Sequence, residues 1–142
     1  SIQVRDGSPL RDYNGRMGDP KWTGRASVEL RNNDWSYYWG MNFIGDASDV
    51  KDYGTDEGTR FGTPVRFVLG ADTVVYHNVS VSKAFPDMGV VARFGINNAL
   101  DTKPPRLTTL NLGQVSTEGN SAFYSQYNWK GRSFFLNMTK DF

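Results

Sequence analysis

Apolar and polar residues alternate with a period of two along most of the chain. Over residues 22–31 the even positions are Trp22, Gly24, Ala26, Val28 and Leu30, and the odd ones Thr23, Arg25, Ser27, Glu29 and Arg31. Over 35–44 the phase reverses. Trp35, Tyr37, Trp39, Met41 and Phe43 alternate with Ser36, Tyr38, Gly40 and Asn42. The stretch 73–85 sets Val75, Val79, Val81 and Phe85 against Asn78, Ser80 and Ser82. The stretch 90–100 sets Val90, Ala92, Phe94, Ile96 and Leu100 against Arg93, Gly95 and Asn97. Residues 132–142 repeat the scheme, with Phe134, Leu136, Met138, Lys140 and Phe142 on one face and Ser133, Phe135, Asn137, Thr139 and Asp141 on the other. Successive side chains of a strand point to opposite faces, so this alternation predicts five half-exposed strands. Residues 1–5 read as the end of a sixth. No segment carries a convincing helical period.

The connections alternate in length. Asn32, Asn33 and Asp34 make a tight turn, and Pro86 to Gly89 makes another with proline and glycine in turn positions. Between them lies the long polar stretch 45–64, and a longer one runs from Thr102 to Gly131. Short, long, short, long is an antiparallel meander with its long loops at one end, the pattern of transmembrane barrels.

Two environments fit such strands. In a soluble sandwich the apolar faces meet in a core; in a membrane barrel they face lipid and the polar faces line a wet lumen. Trp22, Trp35, Tyr37, Phe85, Phe134 and Phe142 lie near strand ends with aliphatic residues between them, an arrangement that resembles two interfacial aromatic girdles and favours the barrel. A closed barrel needs about eight strands, and an open edge does not sit in hydrocarbon. The barrel reading therefore makes these strands part of a larger wall.

Composition changes the picture only by exclusion. The 142 residues amount to one domain, with a formal net charge of +1 and no Lys/Arg run to attract nucleic acid. There is no cysteine, so disulfide frameworks and Cys-ligated zinc are excluded. No apolar run reaches the length of a membrane helix.

The order of short motifs resembles the C-terminal portion of the β-barrel of a TonB-dependent outer-membrane receptor or transporter. Asn98, Ala99, Leu100 and Asp101, followed by Lys103, Pro104 and Pro105, stand where that family has an Asn-Leu-Phe-Asp motif and Pro-Pro. Tyr127, Asn128, Gly131, Arg132 and the terminal Phe142 match its Tyr-Asp, Gly-Arg and closing aromatic elements. Upstream, residues 18–45 resemble its two preceding strands, joined by a short turn ahead of Trp35. The departures are Ala99 and Leu100 for Leu-Phe, Asn128 for Asp, and Lys140 on the outward face.

The resemblance implies an all-β fold: an antiparallel meander forming the last five or six strands of a larger transmembrane β-barrel. Residues 1–142 are one C-terminal barrel segment without plug domain or TonB-binding segment. It implies a bacterial outer-membrane location and active uptake of a scarce nutrient such as a siderophore or sugar. The partners are the plug and other barrel strands of the receptor, TonB through the plug region, outer-membrane lipid, and a small-molecule or oligosaccharide substrate, with no nucleic acid. In such barrels the final strand carries an assembly signal, here Phe134, Leu136, Met138 and Phe142. The alternatives are a soluble β-sandwich ligand-binding module and a passive porin-like barrel.

Catalysis finds little support in the residues. His77, the only histidine, shares a strand with Ser80 and Ser82, but these fall on the opposite face, so no triad forms. Carboxylates such as Asp46, Asp49, Asp56 and Glu57 lie in a Gly-rich polar stretch, and the stretch fails the spacing of a calcium loop because Lys51 falls on a ligand position. No enzyme activity, cofactor or metal is expected. Phe123, Tyr124, Tyr127 and Trp129, interspersed with Ser, Asn and Gln, are candidate ligand contacts, with packing of the loop as the competing role. Arg25, Glu29, Arg31 and Arg93 are expected on the lumen face, paired with plug residues.

Overall fold

The computed structural model describes residues 14–16, 18–107 and 126–140. The expected sixth strand at 1–5, and the candidates Phe123, Tyr124 and Phe142, lie outside them. The described chain is all-β, with strands β1 (Thr23–Asn32), β2 (Trp35–Ile44), β3 (Ala47–Ser48), β4 (Glu57–Arg60), β5 (Thr63–Arg66), β6 (Gly70–Ala71), β7 (Val74–Phe85), β8 (Val90–Asn97) and β9 (Ser133–Lys140). A single α-helical turn, α1 (Val50–Tyr53), follows β3. The long strands form one antiparallel sheet in the order β1-β2-β7-β8-β9.

Both short connections fold as their residues dictate. Asn33 takes a left-handed φ of 50° between β1 and β2, a conformation asparagine tolerates better than most residues. Pro86–Met88 forms one 3₁₀ turn that ends on Gly89 at φ 61°, whose N–H donates to the Pro86 carbonyl at 3.1 Å. Nearby, the Ala84 N–H donates to the Asp34 carbonyl at 2.8 Å.

Register fixes the faces. Val79, Val81, Lys83 and Phe85 of β7 stand opposite Ile96, Phe94, Ala92 and Val90 of β8. These in turn stand opposite Phe134, Leu136, Met138 and Lys140 of β9. On the other face Ser80, Ser82 and Ala84 meet Gly95, Arg93 and Val91, and then Phe135, Asn137 and Thr139. The antiparallel pairing of the final strand with the one starting at Val90 is thus as the alternation predicts. β8 is shorter than expected. It stops at Asn97 because Asn98 turns the backbone to φ 50°.

Strand length matters for what the sheet can span. β1 and β2 have ten residues each. At about 3.4 Å per residue and a tilt of about 45°, ten residues rise about 24 Å, close to the apolar band of a membrane barrel.

The chain divides into two compact units. One carries the long-stranded sheet. The other carries two small two-stranded sheets that begin in the stretch 45–64 expected as plain loop and run past it to Ala71. β3 pairs with β6. β4 pairs with β5 across a turn at Phe61 and Gly62, with φ of 49° and 78°. This second unit has its own buried apolar residues, Ile44, Ala47, Leu69, Ala71, Leu107 and Tyr127.

Candidate functional site

The apolar face of the long sheet is the largest unusual feature. Val28, Leu30, Trp35, Tyr37, Trp39, Phe94, Phe134, Leu136 and Met138 are all exposed, Leu136 at 70%. Met41, Phe43, Val79, Val81 and Ile96 are half-buried, and no side chain of this face in β1, β2, β8 or β9 is buried. Among the described residues no second sheet covers these side chains. Soluble proteins rarely expose a contiguous apolar patch of this kind without a partner for it. The aromatics are graded by position, with exceptions. Trp35, Tyr37 and Phe85 sit at the end with the short turns, where the Trp35 and Tyr37 rings stack at 6.3 Å. Phe134 sits at the opposite end of β9. Trp39 and Phe94 lie further inside, and Phe94 stacks on Phe134 at 6.4 Å.

Charge is sorted between the faces. The face opposite carries Arg25, Glu29, Arg31 and Arg93 of the described strands. Arg31 and Glu29 already pair along β1, at 3.1 and 3.2 Å, so the pairing expected of these groups is in part internal to the strand. Two clefts open on this face. One, of about 300 Å³, is lined by Glu29, Tyr38, Asn78, Ser80, Arg93 and Phe135. The other, of about 360 Å³, is lined by Arg25, Ser27, Tyr38 and Asn42. Two aromatic residues on this polar face have a steric reason. The Phe135 ring lies where a side chain on Gly95 would begin, and the Tyr38 ring does the same for Gly40. Each ring fills the gap that a glycine leaves in a strand.

His77 meets Trp39 across the sheet. Its Nδ1 accepts a hydrogen bond from the Trp39 indole N–H at 3.2 Å, and the rings stack at 5.9 Å. This pair, 38 residues apart in sequence, had no local signal. His77 lies inside β7, one residue after buried Tyr76.

The motif residues singled out around Asn98 and Arg132 converge. Asn98 is fully buried at 0% exposure. Its N–H donates to Asn78 Oδ1 at 3.0 Å, its Nδ2 to the Thr102 carbonyl at 2.9 Å, and its Oδ1 accepts from the Thr102 N–H at 2.9 Å. Asp101, at φ 54°, accepts from the Arg132 N–H at 3.0 Å with one oxygen and from Lys103 Nζ at 2.7 Å with the other. The Lys103 ammonium and then the Arg132 amide hold the Asp101 carboxyl below its ordinary pKa. Gly131, at φ 70°, passes so close to Asp101 Oδ1 that a side chain there would meet it at 3.0 Å. The Asn128 N–H donates to the Tyr76 hydroxyl at 3.0 Å. A clip of two strand ends results, closing the neck of the longest connection.

The candidate ligand contacts separate. Tyr127 is buried at 3%, the packing role set against ligand contact in the sequence, whereas Trp129 is exposed at 43%. The polar carboxylates are paired or solvated. Asp56 accepts from Arg66 at 2.7 Å, and Asp46 lies 4.0 Å from Lys21. Among the described residues no cluster of metal-ligating side chains occurs.

No family model, no curated protein and no solved structure matches this chain.

Proposed function

We propose that this chain is part of the wall of a TonB-dependent transporter of the bacterial outer membrane. In this reading β1, β2, β7, β8 and β9 are barrel strands, and the apolar face meets lipid. The polar face with its clefts meets the plug and the transported nutrient. In this reading the long connections supply the extracellular loops. The chain performs no chemistry. It encloses a path that the plug opens when TonB, energised from the inner membrane, pulls on it.

One observation carries the reading: a sheet of strands long enough to span a bilayer, apolar and exposed on one side, polar on the other. A sandwich needs a second sheet over that apolar side. The clip joining Asn98, Asp101 and Arg132 adds support, since the residues that resemble the family motifs are those that meet. The sheet edges, β1 and β9, pair with further barrel strands here, because unpaired backbone groups cost several kcal/mol each in hydrocarbon.

The test is extraction and mobility. Membranes from cells producing the protein are washed with alkaline carbonate and urea, then solubilised in detergent and run with and without heating. Retention through the wash and a heat-dependent band are expected. Release of folded, monodisperse protein without detergent ends the proposal.

A further inference from the structure

The two clefts of the polar face form one groove. They share Tyr38 and Asn78, with Arg25 on the β1 side and Arg93 and Phe135 on the side of β8 and β9. Two aromatic rings lie along this groove instead of standing away from the sheet. The tip of the Tyr38 ring rests over Gly40, with Cζ 2.9 Å and Cε1 3.0 Å from where a side chain there would begin. Phe135 stands opposite Gly95 and leans onto β8 in the same way. Both rings keep surface open, Tyr38 at 43% exposure and Phe135 at 36%. β7 separates β2 from β8 in the sheet, so at two strand spacings the ring tips are at least about 10 Å apart. The charges near them are not all spent. Glu29 is engaged by Arg31, whereas Arg25 and Arg93 have no ion-pair or hydrogen-bond partner among the described residues. Between the rings, Asn78 Oδ1 accepts from the Asn98 N–H at 3.0 Å, which leaves the Asn78 amide N–H groups as donors to the groove.

We propose that this groove binds an acidic oligosaccharide, one whose sugar rings carry carboxylates. The proposal rests on the reading above that the polar face meets the transported nutrient, and deepens it by naming the class of that nutrient and the residues that hold it. A pyranose presents C–H groups on the face of its ring, and these pack on an aromatic surface such as Tyr38 or Phe135. The separation of the two rings calls for a ligand of more than one sugar. Between them the Asn78 amide donates to sugar oxygens and fixes their orientation. The two unpaired guanidinium groups decide the charge. Each is a planar fork that matches a carboxylate with two hydrogen bonds, and a neutral sugar offers them no anion. A single-stranded nucleic acid also stacks on aromatic rings, but the grooves that hold one track its backbone with cations. Here the free cations are two arginines on opposite sides of the groove, and no lysine occurs on this face among the described strand residues.

The test uses the protein isolated in detergent as it assembles in the membrane. It is titrated calorimetrically with trigalacturonate, with the methyl ester of the same oligomer, which keeps the rings and removes the charge, and with oligothymidylate. The wild type should bind the acid at least about tenfold more tightly than the ester, the worth of one charge-assisted contact. This ratio needs no variant. Arg93→Met and Arg25→Met should each weaken binding of the acid by about the same tenfold and leave the ester unchanged. Tyr38→Ala should weaken acid and ester alike, Tyr38→Phe should preserve both, and Lys83→Gln, on the other face of the sheet, should change neither. Equal affinity for acid and ester overturns the assignment to an acidic sugar. Binding of neither by a protein that withstands the carbonate wash overturns the site and leaves the membrane reading standing. Binding of the acid by protein released folded without detergent upholds the site and ends the membrane reading. Oligothymidylate bound as tightly as the acid overturns the proposal in favour of a nucleic-acid site.

Discussion

Leu69 and Leu136 are the same residue with opposite fates: Leu69 is 4% exposed in the hairpin unit and Leu136 is 70% exposed in the long sheet. Each is typical of its surroundings. In the hairpin unit Ile44, Ala47, Ala71 and Leu107 are inside, as the preference of apolar groups for leaving water requires. In the sheet Leu30, Phe134 and Met138 are outside, while Val74, Tyr76 and Ser82 of β7 are buried. Fully burying one Leu or Phe is worth roughly 1.5–3 kcal/mol. A whole face of such side chains left in water forgoes a large sum. One chain obeys the rule in one region and leaves it unmet in another, and the proposed barrel wall accounts for the difference by giving the sheet's apolar face lipid to meet.

The largest expected effects test each half of that contrast. Leu69→Ala should destabilise the hairpin unit by about 2–5 kcal/mol, as cavity-forming core truncations do. Urea titration followed by hydrogen exchange of the β3–β6 amides measures it. Leu136→Arg should cost about 2–4 kcal/mol in a bilayer if the site lies near the midplane. Asn137→Arg on the neighbouring position, facing the other way, should cost less than about 0.5 kcal/mol. Equal costs for the two would mean that the faces do not see different media. Met138→Arg should cost less than Leu136→Arg, because Met138 stands one row nearer the short-turn end.

Gly95→Ala is expected to have an intermediate effect, about 1–3 kcal/mol. The added methyl meets the Phe135 ring and lies 2.9 Å from Ser80 Cβ. Combining it with Phe135→Ala should recover part of the loss, and thermal unfolding in micelles reports both.

The smallest effect concerns the clip. Asp101 is held ionised by Lys103 and the Arg132 amide, so its folded pKa lies below the ordinary value near about 3.9. A depressed carboxyl pKa stabilises the fold fully above the unfolded value, and that contribution is lost as pH falls through the folded value. Protection of the Arg132 amide from exchange should therefore be flat from neutral pH to about 4 and fall below it. Asp101→Asn should weaken the protection at neutral pH and remove the acid step.

The long strands were legible because alternation is a local signal. Residues 22–44 declare two strands and a turn without knowledge of anything distant. What failed to show was non-local or lacked apolar contrast. The β4–β5 hairpin runs through Glu57, Gly58, Thr59, Arg60, Thr63 and Pro64, where period two has nothing to alternate. Phe135 stood out as an apolar residue on a polar face; its reason, Gly95, lies on the neighbouring strand. The Trp39–His77 pair needed the strand order. The end of β8 at Asn97 depended on a backbone turn at Asn98 that a hydrophobic pattern does not record. Of the ligand-contact candidates, the sequence could not tell buried Tyr127 from exposed Trp129, since both are aromatics among amides.

The clip between Asp101 and Arg132 spans 31 positions of sequence and has a bearing on evolutionary change. The sheet is sealed at that neck by groups that belong to the strand ends, not to the segment between. In general, doubling the length of a connection between two fixed ends costs only about 0.6 kcal/mol in closure entropy. A lineage carrying this neck can lengthen, shorten or rewrite the intervening sequence while β8 and β9 keep their register. New surface chemistry can then be tried on an unchanged frame.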